Sequence, residues 1–119
     1  MAAPNRHAPL TTTTYQILLA LAGRDRHGYA ILKAVDRQTE GRIRLGPGTL
    51  YAAIRRLEDA GLIAESDWRP DPDLDDERRR YYRLTTSGRA TLIAETDRLQ
   101  ATVRLARRQL AQSPRPAER

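Results

Sequence analysis

The sequence contains no cysteine and only two histidines, and these two shortages remove several kinds of functional site. Without thiols the chain cannot form a disulfide scaffold or a thiolate metal site, and His7 and His27 alone do not make a zinc centre. A chain without cysteine is also typical of a reducing compartment. We therefore expect neither a metal ion nor a cofactor.

Long hydrophobic runs are absent as well. The longest covers residues 17–22, whereas a membrane-spanning helix needs roughly 20 apolar residues. The first residues also lack the charged-then-apolar pattern of a signal peptide. We expect a soluble, cytoplasmic protein that does not enter a membrane.

Lysine is scarce too, because 20 of the 21 basic residues are arginine and only Lys33 is a lysine. A guanidinium group binds a phosphate or the edge of a guanine through two parallel hydrogen bonds. A GC-rich genome would explain the same preference equally well. The net charge of +6 nevertheless favours a polyanionic partner.

The 119 residues are enough for one domain with a modest core. Prolines near both ends predict flexible tails over residues 1–10 and 112–119. Apolar spacing then predicts a first helix from the threonines at 11–14 to Gly23, and a second from residue 28 to residue 39. His27 is placed to cap the second helix, and Tyr29 is expected in the core.

A short strand over residues 42–45 and the breakers Gly46 and Pro47 are predicted to precede a third helix, which Gly61 would end. At about 100° per residue, Leu50, Ile54 and Leu57 share one apolar face. The opposite face presents small or charged side chains, with Tyr51 at its boundary: Gly48, Thr49, Ala52, Arg55, Arg56 and Asp59.

After Gly61 the period changes to two, which predicts a hairpin of strands over residues 62–68 and 80–84 with a polar loop between them. Tyr81 and Tyr82 are adjacent, so one is expected to face the core and the other to face outward. Trp68 on the opposite strand is expected to pair with one of them.

The final helix is predicted to begin at Thr85 or Thr86 and to run for about 25 residues, or ~37 Å. This is longer than a core of three helices and a hairpin is wide, so part of its apolar stripe should be left for a partner. The stripe follows the alternating four- and three-residue spacing of a heptad. We expect the dimer interface at Leu92, Ile93, Thr96, Leu99, Val103, Ala106 and Leu110.

The order of these elements is that of a winged helix-turn-helix, a mainly α fold with a small β-hairpin (α+β), followed by a long C-terminal helix. In that fold the third helix enters the major groove of DNA. The small residues on its outward face allow a close approach to the bases, and Arg55 and Arg56 can bind phosphate or guanine. A solvated helix face that carries two arginines would look the same.

Several stretches of the chain, in order and over residues 11–110, resemble the PadR family of bacterial transcriptional regulators. They are HGYAI at 27–31, GTLY at 48–51 continuing to RLE at 56–58 and GLI at 61–63, and RYYRLT at 80–85 continuing to GR at 88–89. The short final helix resembles the subgroup with a single C-terminal helix. The resemblance implies a winged-helix homodimer, usually a repressor, that binds a palindromic double-stranded DNA operator and is released by a stress signal or a small-molecule effector.

On this interpretation residues 11–85 form the DNA-binding domain and residues 86–111 the dimerisation helix. The third helix, its flanks and the base of the wing would contact DNA. The expected contacts are Lys33, Arg44, Gly48, Thr49, Tyr51, Ala52, Arg55, Arg56, Arg78, Arg79 and Arg80.

The chain departs from the family pattern at Ala52, where many members have proline, and in the acidity of residues 71–77, which DNA phosphates would repel. The final helix also lacks an aromatic residue on its seam, so a drug-sensing function does not carry over. The alternating Asp71, Asp73 and Asp75 resemble a calcium loop, but Asp76 and Tyr82 stand where that loop needs glycine and glutamate. A solvated wing tip is the better account.

No nucleophile, base or phosphate-binding glycine loop points to an enzyme, so we expect a binding protein. The alternative to a DNA-binding repressor is a winged-helix module that assembles with other proteins and does not bind DNA. The two differ in the arginines of the third helix and the wing, which an assembly module has no reason to keep.

Overall fold

The structure is a computed structural model, and it describes residues 9–68 and 79–112. The described chain forms a mainly helical α+β fold with a small antiparallel sheet, as the sequence predicts. Its elements in chain order are α1 (Thr12–Gly23), β1 (Arg26–His27), α2 (Gly28–Gln38), α3 (Pro47–Asp59), β2 (Ile63–Ser66), β3 (Tyr81–Leu84) and α4 (Thr86–Gln112).

The helix ends are set by local capping. The side chain of Thr11 accepts a hydrogen bond from the Thr14 N–H at 3.1 Å, which starts α1. The Nδ1 of His27 accepts from the Ala30 N–H at 3.2 Å and starts α2, which confirms its predicted role as a cap. At the end of α3, Gly61 takes a φ of +77°, a left-handed conformation that suits glycine.

The sheet has the strand order β1-β3-β2, with both pairs antiparallel. The hairpin of β2 and β3 is confirmed, but the strand predicted over residues 42–45 is wrong. That segment is irregular, and its Ile43 packs against the core while the Ile43 N–H bonds to Thr39 Oγ1 at 3.0 Å. The third strand is instead β1, which lies between α1 and α2 and pairs His27 with Tyr81.

Two expectations about tyrosine are corrected. Tyr81 and Tyr82 are both only 4% exposed. Tyr82 belongs to the core, and Tyr81 is covered on the other face of the sheet by edge-on contacts to His27 at 5.2 Å and to Trp68 at 5.8 Å between ring centroids. The predicted pairing of Trp68 is therefore confirmed. Tyr29, expected in the core, is 62% exposed.

The helices and the sheet share one aliphatic core. Its fully buried large side chains come from α1, α2, α3 and β2: Ile17, Leu18, Ile31, Val35, Leu50, Ile54 and Ile63. This core holds α3 so that the face opposite Leu50 and Ile54 points outward.

Only the first part of α4 belongs to that core. Gly88 and Leu92 are buried, and the Tyr15 hydroxyl of α1 lies 2.7 Å from Thr96 Oγ1. From Thr96 onward every described residue of α4 is exposed. With 27 residues the helix is about 40 Å long and projects from the domain. Neither α4 nor any other helix in the described ranges is long and apolar enough to cross a membrane.

Candidate nucleic-acid interface

The outward surface of α3 carries small side chains, two arginines and Asp59. Gly48, Thr49, Arg55 and Arg56 are exposed, and Ala52 is half-buried. Helix α3 begins at Pro47, and in the described part of the chain no neighbouring element lies within 4 Å of where a Cβ on Gly48 would stand. The helix therefore presents a low surface at its N-terminal end and two guanidinium groups about two turns further along.

Tyr51 projects beside this surface, 43% exposed, and rests on α2. A Cβ placed on Gly28 would overlap the Tyr51 hydroxyl, so the tyrosine can lie in this position against α2 because residue 28 has no side chain. Gly28 of the stretch at 27–31 and Tyr51 of the stretch at 48–51 thus contact each other.

A cleft of about 560 Å³ opens between the start of α2, α3 and the start of β3. It brings together four of the predicted DNA-contacting residues, Tyr51, Arg55, Arg79 and Arg80. The others described, Lys33, Arg44, Gly48, Thr49, Ala52 and Arg56, do not line it. Of the residues that the structure describes, those lining it are His27, Gly28, Tyr29, Tyr51, Ile54, Arg55, Glu58, Arg79, Arg80 and Tyr82.

Carboxylates sit among these cations. Arg80 Nε lies 3.3 Å from Glu65 Oε2, and Glu58 lines the cleft beside Arg55. Away from the cleft, Arg44 Nε lies 3.6 Å from Asp36 Oδ2. Within the described ranges, two of the predicted DNA-contacting arginines, Arg44 and Arg80, are thus seen in ion pairs.

The remaining cations are held differently. Arg79 Nη1 approaches His27 Nε2 at 3.4 Å, and Lys33 Nζ lies 5.5 Å from the centre of the Tyr29 ring, a cation–π contact on the exposed side of α2. Burial, and after it the negative charge of Glu58, raises the pKa of Tyr82. The Tyr82 phenol at the cleft is therefore neutral at physiological pH and retains its proton.

The predicted contacts did not include Glu65, which pairs with Arg80 next to the cleft, or six of the described lining residues: His27, Gly28, Tyr29, Ile54, Glu58 and Tyr82. Tyr29 was expected in the core, and Glu65 meets Arg80 only through the pairing of β2 with β3. No local signal marks that contact. Of the residues that were predicted, Arg78 and the acidic stretch 71–77 lie outside the described residues. Within the described ranges, no group of three or more His, Asp or Glu side chains is arranged to hold a metal ion.

The predicted dimer stripe on α4 divides into two parts. Leu92 is only 6% exposed and packs into the core of its own chain, so it is corrected to a core residue. Thr96 donates to the Leu92 carbonyl at 2.8 Å and accepts from Tyr15. The rest of the stripe is exposed: Ile93, Leu99, Val103, Ala106 and Leu110. Leu105, off the heptad, is exposed as well.

The protein has the winged-helix fold: helices α1 to α3 pack with a small three-stranded sheet, and one face of α3 points outward. Residues 17–94 match the model of the "Transcriptional regulator PadR-like family". The chain belongs to this family of transcriptional regulators.

Comparison with individual proteins supports the same family. The transcriptional regulator Rv3488 of Mycobacterium tuberculosis is 37% identical over 88 residues, which are 74% of this chain and 76% of that protein. An uncharacterised 37.1 kDa protein in transposon TN4556 of Streptomyces fradiae is 42% identical over 79 residues, 66% of this chain but only 20% of that protein. A PadR family transcription regulator from Clostridium difficile superposes with a TM-score of 0.66 at 25% identity, covering 84% of this chain and 99% of the other.

Proposed function

We propose that the protein is a homodimeric DNA-binding repressor that places α3 of each protomer in the major groove of a palindromic operator. The observation that supports this most directly is the outward surface of α3, where small residues precede Arg55 and Arg56. The adjoining cleft adds Arg79 and Arg80, which can contact the flanking phosphates. Residues 11–85 then act as the reading domain.

The second protomer would cover the exposed part of α4. Leu99, Val103 and Leu110 recur on one side of the helix at heptad spacing and have no cover in the described chain. Pairing these stripes would hold two α3 helices about one turn of DNA, ~34 Å, apart, which matches two operator half-sites. Residues 86–111 would then form the dimerisation helix, with Gly88 and Leu92 anchoring it in the reading domain.

Release by a small-molecule effector or a stress signal would act through that anchor. The Tyr15–Thr96 hydrogen bond and the burial of Leu92 fix the direction in which α4 leaves the domain. A signal that shifts α4 on α1 changes the angle between the two reading domains, and with it the fit to both half-sites at once.

The DNA-binding part is tested by titrating the protein with a labelled duplex from upstream of its own gene, against a scrambled duplex. Arg55→Ala and Arg56→Ala should each weaken binding. A phosphate-contacting arginine reduces the salt slope by about one, whereas a base-contacting arginine costs ~1–3 kcal/mol at one base position. Arg108→Ala is the matched control, because Arg108 is exposed on α4 opposite the stripe.

If both α3 variants bind as the wild type does, the DNA-binding proposal is wrong and the protein-assembly alternative replaces it. The dimer is tested separately by light scattering at micromolar concentration. Leu99→Glu should give a monomer that has lost operator affinity, while Leu105→Glu, an equally drastic change off the heptad, should remain dimeric. A monomeric wild type would overturn the dimer.

A further inference from the structure

We propose that Glu65, together with Glu58, limits the affinity of the protein for DNA of any sequence by neutralising arginines of the cleft. This inference rests on the proposed DNA-binding function and adds residues that oppose it. The structure places carboxylates among the cations of the cleft.

The pairing of β2 with β3 fixes the position of Glu65. Its Cα lies opposite that of Tyr82, which lines the cleft, and its Oε2 lies 3.3 Å from Arg80 Nε. The side chains of Glu65 and Arg80 are 54% and 74% exposed, so their ion pair is solvated and contributes little to folding. The larger effect of the ion pair is to lower the positive charge that the cleft presents to an approaching polyanion.

Glu58 acts on the opposite wall of the cleft. It follows Arg55 by three residues on α3, so the two side chains lie on the same side of the helix, and both line the cleft. Among the described residues, Arg80 is therefore paired with a carboxylate and Arg55 has one on its own side of α3. Each of these two positions presents less net positive charge than its guanidinium group alone would give.

The consequence concerns the sequence-independent part of binding. Each cation that contacts a DNA phosphate releases counterions and steepens the dependence of affinity on salt. Each uncompensated carboxylate that lies near the DNA backbone repels the phosphates and weakens binding. Because Arg80 is paired with Glu65, it contributes less to this term than its charge allows. Base recognition by the outward face of α3 does not involve Glu65 and is unaffected.

The test uses a labelled duplex of scrambled sequence, titrated by fluorescence anisotropy at several salt concentrations. Glu65→Gln should bind it roughly three to ten times more tightly than the wild type at 0.1 M salt, with a salt slope steeper by about one. Glu58→Gln should change affinity in the same direction. Circular dichroism checks that both variants are folded.

Three further variants separate the proposed contact from other causes. Glu65→Asp keeps the charge and should bind like the wild type. The double variant Glu65→Gln/Arg80→Gln removes both partners and should return affinity close to the wild-type value. Asp97→Asn removes one negative charge from an exposed position on α4, and should leave affinity unchanged if position, and not net charge, is decisive.

The inference is wrong if the wild type binds DNA and Glu65→Gln binds it equally or more weakly, or if Asp97→Asn gives the same increase as Glu65→Gln. These results leave the proposed function standing. The proposed function itself fails if neither the wild type nor Glu65→Gln binds the scrambled or the upstream duplex.

Discussion

Gly28 and Tyr51 are in direct contact, with the Tyr51 hydroxyl occupying the space where a Cβ of residue 28 would stand. The contact joins the first turn of α2 to the outward side of α3. It therefore links the packing of two helices to the position of a tyrosine on the proposed recognition surface.

Gly28→Ala should destabilise the protein by no more than about 1 kcal/mol, because the new methyl group displaces the hydroxyl end of Tyr51, a 43% exposed side chain that can swing aside. Urea unfolding measures this change. Gly48→Ala is the matched control: Gly48 also lies in the first turn of a helix, but no atom lies within 4 Å of its missing Cβ. It should be neutral or slightly stabilising, since alanine favours a helix over glycine. Equal losses in both variants would contradict the contact.

Gly88→Ala should be more damaging than Gly28→Ala. A Cβ at residue 88 would overlap the backbone carbonyl oxygen of Leu62, which cannot swing aside as a tyrosine side chain can. We expect a loss at the upper end of, or above, the ~1–3 kcal/mol typical of overpacking, measured by urea unfolding. Gly23→Ala serves as a control, because no neighbour lies within 4 Å of that site.

Glu95 should make folding sensitive to acid. A hydrogen bond from Arg98, Nε to Oε1 at 3.0 Å, holds the pKa of the Glu95 carboxyl below its usual 4.5, with help from the Leu10 backbone N–H and against the opposing effect of burial. Because the unfolded chain binds this proton more readily, the stabilisation is fully present above pH 4.5 and is lost as pH falls through the lower, folded-state pKa.

Urea midpoints measured from pH 7 down to pH 3 should therefore fall more steeply for the wild type than for Glu95→Gln. Arg98→Ala removes the main cause of the lowered pKa and should flatten the profile in the same way. A wild-type slope preserved in either variant would show that the acid sensitivity arises at other carboxylates.

Most helix ends could be predicted because their causes are local. A threonine at position 11 that bonds three residues ahead, and a glycine at position 61 with positive φ, act through neighbours in sequence. Only β1 was missed, and residues 42–45 were wrongly predicted as a strand in its place. Two residues carry no periodicity, and β1 exists only because β3 lies beside it.

The candidate site was less predictable, because its members come from separate elements. The outward face of α3 follows from helical geometry, so Arg55 and Arg56 could be placed from the sequence. The ion pair of Glu65 with Arg80 depends on strand register, and the burial of Tyr81 depends on the rings of His27 in β1 and of Trp68, two residues after β2. Alternation along a strand predicts that one of two adjacent tyrosines is exposed, but here the rings of His27 and Trp68 cover Tyr81.

If α4 pairs in the proposed dimer, its projecting part makes assembly depend on the concentration of the protein. A helix of about 14 residues is marginal in water unless its apolar side is covered, so residues 99–112 should fray in a free chain and become ordered when two chains meet. Ellipticity at 222 nm should then rise with protein concentration in the wild type and stay low in Leu99→Glu. In a cell, the same dependence would make the amount of regulator, as well as any signal it receives, set how much of it is assembled to bind DNA.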